Sequence, residues 1–164
     1  MPGCECEKNQ QSAHSPGLVL DEEEIIYCLI HPDLFDAASG ELKNKAFSKS
    51  ILKKSELSVV RKPYSSEADT KANVVDPQVQ RNPSRRFCGA LTAPTKAIRA
   101  LAGSSPQDVC VADDGLPGFP AHAHLGFSEE VAAQSKSVLE AVRSNLIDVF
   151  NAGGGPRDLK GVYS

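Results

Sequence analysis

Tryptophan is absent from this chain of 164 residues, and aromatic residues make up only 5% of it. The core must therefore be assembled from Val, Ile, Leu and Ala, and few rings are available to stack on nucleic-acid bases. No apolar run approaches the ~20 residues needed to cross a bilayer. The longest, Ile25–Ile30, has the length of a strand. The N-terminus is polar and acidic, with no basic stretch leading into an apolar one, so no secretory signal is read and a cytosolic location without membrane attachment is expected. G-x-S-x-G, P-loop and G-x-G-x-x-G patterns are also missing. The run Gly153-Gly154-Gly155-Pro156 follows a helical pattern, which makes it a helix stop and not a phosphate cradle.

Five cysteines (Cys4, Cys6, Cys28, Cys88 and Cys110) are an odd number in a chain without a signal, and argue against a disulfide framework. Cys28, Cys88 and Cys110 lie inside apolar runs, where a free cysteine acts as a small buried hydrophobe. Cys4 and Cys6 fall in a polar stretch, with His14 nearby, and read as exposed thiols of no assigned role.

Hydrophobic residues at 40% and charged residues at 24% are ordinary globular usage. The length fits a single domain over residues 21–152, flanked by a disordered tail (1–20) and a polar C-terminal tail (153–164). Strands are expected at Ile25–Ile30, Leu57–Arg61, Phe87–Thr92, Val109–Ala112 and Ala121–Phe127. Short helices are expected at 65–72 and 94–102, and an exposed connection at 74–86. A long amphipathic helix at 129–150 carries the apolar stripe Val131, Val138, Val142, Leu146 and Phe150. Only eight residues separate the fourth and fifth strands, too few for a crossover, so they pair antiparallel if they are neighbours. The expectation is an α+β fold: a small mixed or antiparallel sheet of about five short strands, with the long C-terminal helix packed on it.

Chemistry concentrates in residues 109–127. Alternation along a strand puts His122 and His124 on one face and Ala121, Ala123, Leu125 and Phe127 on the other. Asp113 and Asp114 sit in the adjoining loop. Two imidazoles with a carboxylate can bind a divalent metal such as zinc, giving His122, His124, Asp113 and Asp114 as candidate ligands, with His31 as another possible third donor. Without metal, a histidine oriented by Asp113 or Asp114 can act as a general base. The plainer explanations are a solvated edge-strand face for the histidines and a simple turn for Asp114-Gly115. No cofactor is required by either.

Charge is unevenly spread: residues 1–40 sum to −7, residues 41–99 to +8 and residues 100–164 to −4. Lys43, Lys45, Lys49, Lys53, Lys54, Arg61 and Lys62 form the densest basic cluster, followed by Arg81, Arg85 and Arg86. Collected on one surface they would suit an anion or nucleic acid. Scattered as they are, they are better read as facing the acidic flanks within the fold.

The order of His31-Pro32 after an apolar run, Ala46-Phe47, Leu57-Ser58-Val59, Gly89-Ala90-Leu91 and Pro120-Ala121-His122 resembles a family of small bacterial proteins with no assigned reaction. The resemblance spans roughly residues 25–127 and implies a compact cytosolic domain with His31, Ser58 and His122 among its signature positions. His124 lies outside that signature. The expectation is an accessory or interaction protein with a protein partner rather than nucleic acid. The alternative is a small hydrolase or nuclease whose site combines His122, His31 and Ser58, metal-dependent or not.

Overall fold

The computed structural model describes residues 4–9, 11–101 and 107–164. Its centre is one five-stranded antiparallel sheet of α+β class. The strands are β1 (Glu24–Leu29), β4 (Leu57–Arg61), β5 (Gly89–Pro94), β6 (Val109–Asp113) and β7 (His122–Phe127), in the order β5-β1-β4-β7-β6. A separate hairpin joins β2 (Phe35–Asp36) to β3 (Glu41–Leu42). The helices are α1 (Glu5–Asn9), α2 (Lys49–Lys53), α3 (Glu67–Thr70), α4 (Asp76–Arg81), α5 (Thr95–Arg99), α6 (Glu129–Ala132), α7 (Lys136–Asn151) and α8 (Leu159–Tyr163). Among the described residues, no helix is long and apolar enough to cross a membrane.

Strand β1 is buried on both faces, which is why its sequence is a continuous apolar run instead of an alternating one. Ile25, Tyr27 and Leu29 join the larger core beneath α7, with Leu57, Val59, Val111, Leu125, Leu146 and Phe150. Rings in this core meet edge to face: Phe47 lies 4.9 Å from Tyr27 and 5.5 Å from Phe150. Ile26, Cys28 and Ile30 join a smaller core on the opposite face, closed by Val75, Leu159 and Val162. Over β4 and β7 that second face carries Ser58, His122 and His124, none of them buried.

Four local readings change. The helix expected at 129–150 breaks at Ala133–Ser135 into α6 and α7. The break resets the helical phase, so Leu139 is buried and Val138 is left exposed. The segment 74–86 is helical as far as Arg81. A π turn over Lys71–Val75 leads into Pro77, whose missing N–H would interrupt a regular α-helix. Beyond residue 153 the chain is not a loose tail: Arg157 bridges to Ala90, and α8 buries Leu159 and Val162.

The fourth change is at the N-terminus. Cys4 and Cys110 form a disulfide, so neither is the free cysteine expected, and the described residues of 4–20 form a strap across the sheet edge. Glu7 is buried there, accepting from Arg99 and from the backbone N–H of Val111. Ser12 donates to the Gly115 carbonyl, and its backbone N–H donates to Asp113. Val19 is in the core.

The basic middle of the chain is balanced by the acidic flanks. Lys62 pairs with Glu24, Lys49 with Glu140, Lys45 with Asp33, and Arg99 with Glu7 and Asp21. Arg61 is not a surface cation as the cluster reading supposed. It is fully buried, bonded to Glu23 at 2.6 Å and Asp113 at 3.3 Å and to the carbonyls of Gly17 and Leu18. Lys43, Lys53 and Lys54 remain exposed.

Candidate active site

The site is built where the sheet forks. β1 and β4 pair only at Ile25↔Arg61 and Ile26↔Val60, while β1 stays on β5 as far as Leu29↔Gly89, and β4 stays on β7 as far as Leu57↔Leu125. Where the register would next join Tyr27 to Val59 and Cys28 to Ser58, the two strands have parted. A cleft of about 580 Å³ opens at the fork. His31, Ser58 and His122 all line it, together with Ile26, Cys28, Val60, Leu116, Gln78, Arg81 and Arg85.

Register places the polar side chains on one face. Ser58 is opposite His124 and Val60 opposite His122, so Ser58 reaches diagonally to His122. The loop between β6 and β7 returns Asp114 to the same ring: the Asp114 N–H donates to the His122 carbonyl, and Gly115 leads the chain into the turn. His122 Nδ1 then lies 2.9 Å from Asp114 Oδ2 and 3.0 Å from the Asp114 carbonyl. Both oxygens only accept, so in the neutral ring Nδ1 carries the proton and Nε2 is the acceptor. Ser58 Oγ is 3.3 Å from that Nε2 and donates to it. The result is a serine–imidazole–carboxylate chain in which the hydroxyl faces a base and the base is oriented by an acid.

His124 flanks this chain. Its ring meets that of His122 edge to face at 4.8 Å, and its Nε2 is 3.5 Å from Asp114 Oδ2. Desolvation by burial, reinforced by the charge His122 can carry and opposed by Asp114 and Glu56, holds the His124 pKa below the usual imidazole value. Asp114, His122 and His124 also offer three donor atoms within 4.8 Å of one another, the donor set of a two-histidine, one-carboxylate metal site.

Asp113 does not join them. Neighbours in a strand point to opposite sides, and Asp113 is turned inward to Arg61, the Ser12 N–H and the Gly115 N–H. Cys28 lines the cleft as well, but burial pushes its thiol up to about 12, which leaves it unreactive at neutral pH. Of the lysines in the basic cluster, only Lys45 reaches the cleft, and it is paired with Asp33. Arg81 and Arg85, which the sequence offered only as an extension of the basic cluster in an exposed connection, line the cleft wall, whereas Arg86 is not among its lining residues.

No family model, curated protein or solved structure matches the chain.

Proposed function

We propose that this protein is a small hydrolase working through Ser58, with His122 as general base and Asp114 as the group that orients it. The observation that carries the reading is the hydrogen-bonded chain Ser58–His122–Asp114 opening onto the cleft at the fork. In the reaction Ser58 Oγ attacks the electrophilic carbon or phosphorus of an ester, and its proton passes to His122 Nε2. The resulting imidazolium is stabilised by Asp114, and its proton is handed to the departing alkoxide. Water, deprotonated by the same imidazole, then releases the group from Ser58. His31, which also lines the cleft, is a substrate-facing residue. The three signature positions of the bacterial family that the sequence resembles fall on this one cleft, and bacterial origin is part of the same proposal.

A second reading has its own support. The donor set of Asp114, His122 and His124 suits a divalent ion such as zinc. A metal there would take up the His122 and Asp114 atoms that the serine mechanism uses, so the two readings exclude each other. The interaction-protein reading requires a broad exposed apolar patch. Among the described residues the exposed large apolar side chains are Leu18, Leu20, Ile51, Tyr64, Leu116 and Val138, of which Ile51 and Leu116 line the cleft itself. Location follows the disulfide: Cys4–Cys110 persists in an oxidising compartment, whereas in the cytosol the pair would be a dithiol.

A fluorophosphonate tests the serine reading without knowledge of the substrate. The Ser58–phosphorus bond forms, fluoride departs, and mass spectrometry locates the adduct. The expected result is a single adduct on Ser58, unaffected by EDTA and slowed at least about a hundredfold in His122→Ala, the low end of what a positioned base contributes. Labelling elsewhere, or labelling of Ser58 indifferent to His122, contradicts it. Stoichiometric zinc in the purified protein, lost in His122→Ala/His124→Ala, would favour the metal reading instead.

A further inference from the structure

We infer that the cleft recognises an oxyanion, a phosphate or carboxylate group of the ester substrate, through Arg81 and Arg85. This rests on the Ser58 reading and names the class of molecule that site would take. The cleft wall formed by the π turn, α4 and the residues after it presents Asn73, Gln78, Arg81 and Arg85 towards the strands that carry Ser58 and His122. Glu56 is the one carboxylate among the lining residues, against Lys45, Arg81 and Arg85.

Arg81 is exposed and Arg85 half-buried, both on the cleft wall, while Arg143, whose Nε is also buried without a partner, does not line the cleft. Arg61 and Arg99 are saturated by carboxylates and carbonyls, and Lys45, Lys49 and Lys62 each have an acidic partner. Among the described residues, Arg81 and Arg85 form no ion pair. Arg85 Nη1 donates to Gln78 Oε1 at 3.3 Å, while its Nε is buried with no hydrogen-bond partner. A buried guanidinium N–H without an acceptor is costly unless a ligand supplies one. The planar fork of donors matches a phosphate or a carboxylate in two-pronged fashion. The volume is that of a small-molecule site. An ester whose anionic end lies on Arg81 and Arg85 therefore sits in the same cleft as the Ser58 hydroxyl.

The test titrates inorganic phosphate and acetate, at low ionic strength, into the full chain and into Arg81→Gln/Arg85→Gln. Lys136→Gln, on α7 across the sheet, controls for lost charge, and circular dichroism confirms that each variant is folded. Binding that weakens by about tenfold or more in the double variant, and not in Lys136→Gln, supports the subsite. Arg85→Lys, which keeps the charge and loses the fork, should recover only part of it. Tighter phosphate than acetate assigns a phosphate-bearing substrate, and the reverse assigns a carboxylate-bearing one. No binding of either anion by the wild type, or binding indifferent to the arginines, overturns the inference. Fluorophosphonate labelling of the same samples separates the two proposals: Ser58 labelled without anion binding removes the subsite alone, and anion binding without labelling removes the serine reading alone.

Discussion

Arg61 shows how one residue type changes meaning with its neighbours. In sequence it stands among lysines, yet it is the largest fully buried side chain, held by Glu23, Asp113 and two carbonyls of the strap. Removing it would strand two buried carboxylates, which is costlier than losing the pair as a whole. Arg61→Ala is expected to destabilise the protein by about 3–5 kcal/mol in urea unfolding, and Arg61→Ala with Glu23→Gln by less than the sum of the single changes. A cost below about 1 kcal/mol would mean the network is hydrated. The same reasoning separates Asp113 from Asp114. Adjacent in sequence, they point to opposite sides of the strand, one into this network and one onto His122. The sequence offered both as ligands because composition carries no information on which side a loop will turn.

At the scale of elements, the strap is the feature least visible beforehand. Cys4 and Cys110 are 106 residues apart, and nothing local to either marks them as partners. The described residues of 4–20 also lack periodicity, because they are held by the disulfide, by polar contacts to β6, Arg61 and Arg99 and by the lone core residue Val19, and not by an apolar stripe. Closing so long a loop restricts the unfolded chain strongly. Reduction, or Cys4→Ser, should therefore lower stability by about 2–4 kcal/mol. The loss should show as a fall in the midpoint of thermal unfolding with added reductant, and no shift would mean that the bridge contributes little. The strands, by contrast, were legible. The alternation in β4 and β7 and the strand-length apolar run of β1 placed these strands within a residue of where they lie. The α6–α7 break was not, because a serine within a strong stripe does not announce a change of helical phase.

For the whole molecule, the decisive event is the fork between β1 and β4. Alternation placed His122 and His124 on one face, but only the sheet order brings Ser58 beside them and His31 to the same cleft. Arg81 and Arg85 complete that cleft because a segment expected to be an exposed connection is a helix crossing the second face. The acidic and basic thirds of the chain then neutralise one another through the ion pairs that join the strap, β1, β4 and α7 to the middle segment, and among the described residues the two cleft arginines have no carboxylate partner.

The central claim is that Asp114 fixes His122 with its Nε2 free to take the Ser58 proton. Nitrogen-15 NMR of the His122 ring, in wild type and Asp114→Asn, reads this directly. The account predicts that neutral His122 carries its proton on Nδ1, with Nε2 showing the shift of an acceptor, and that Asp114→Asn weakens this preference. A neutral ring protonated on Nε2 in the wild type could not accept the Ser58 proton, and would contradict the account.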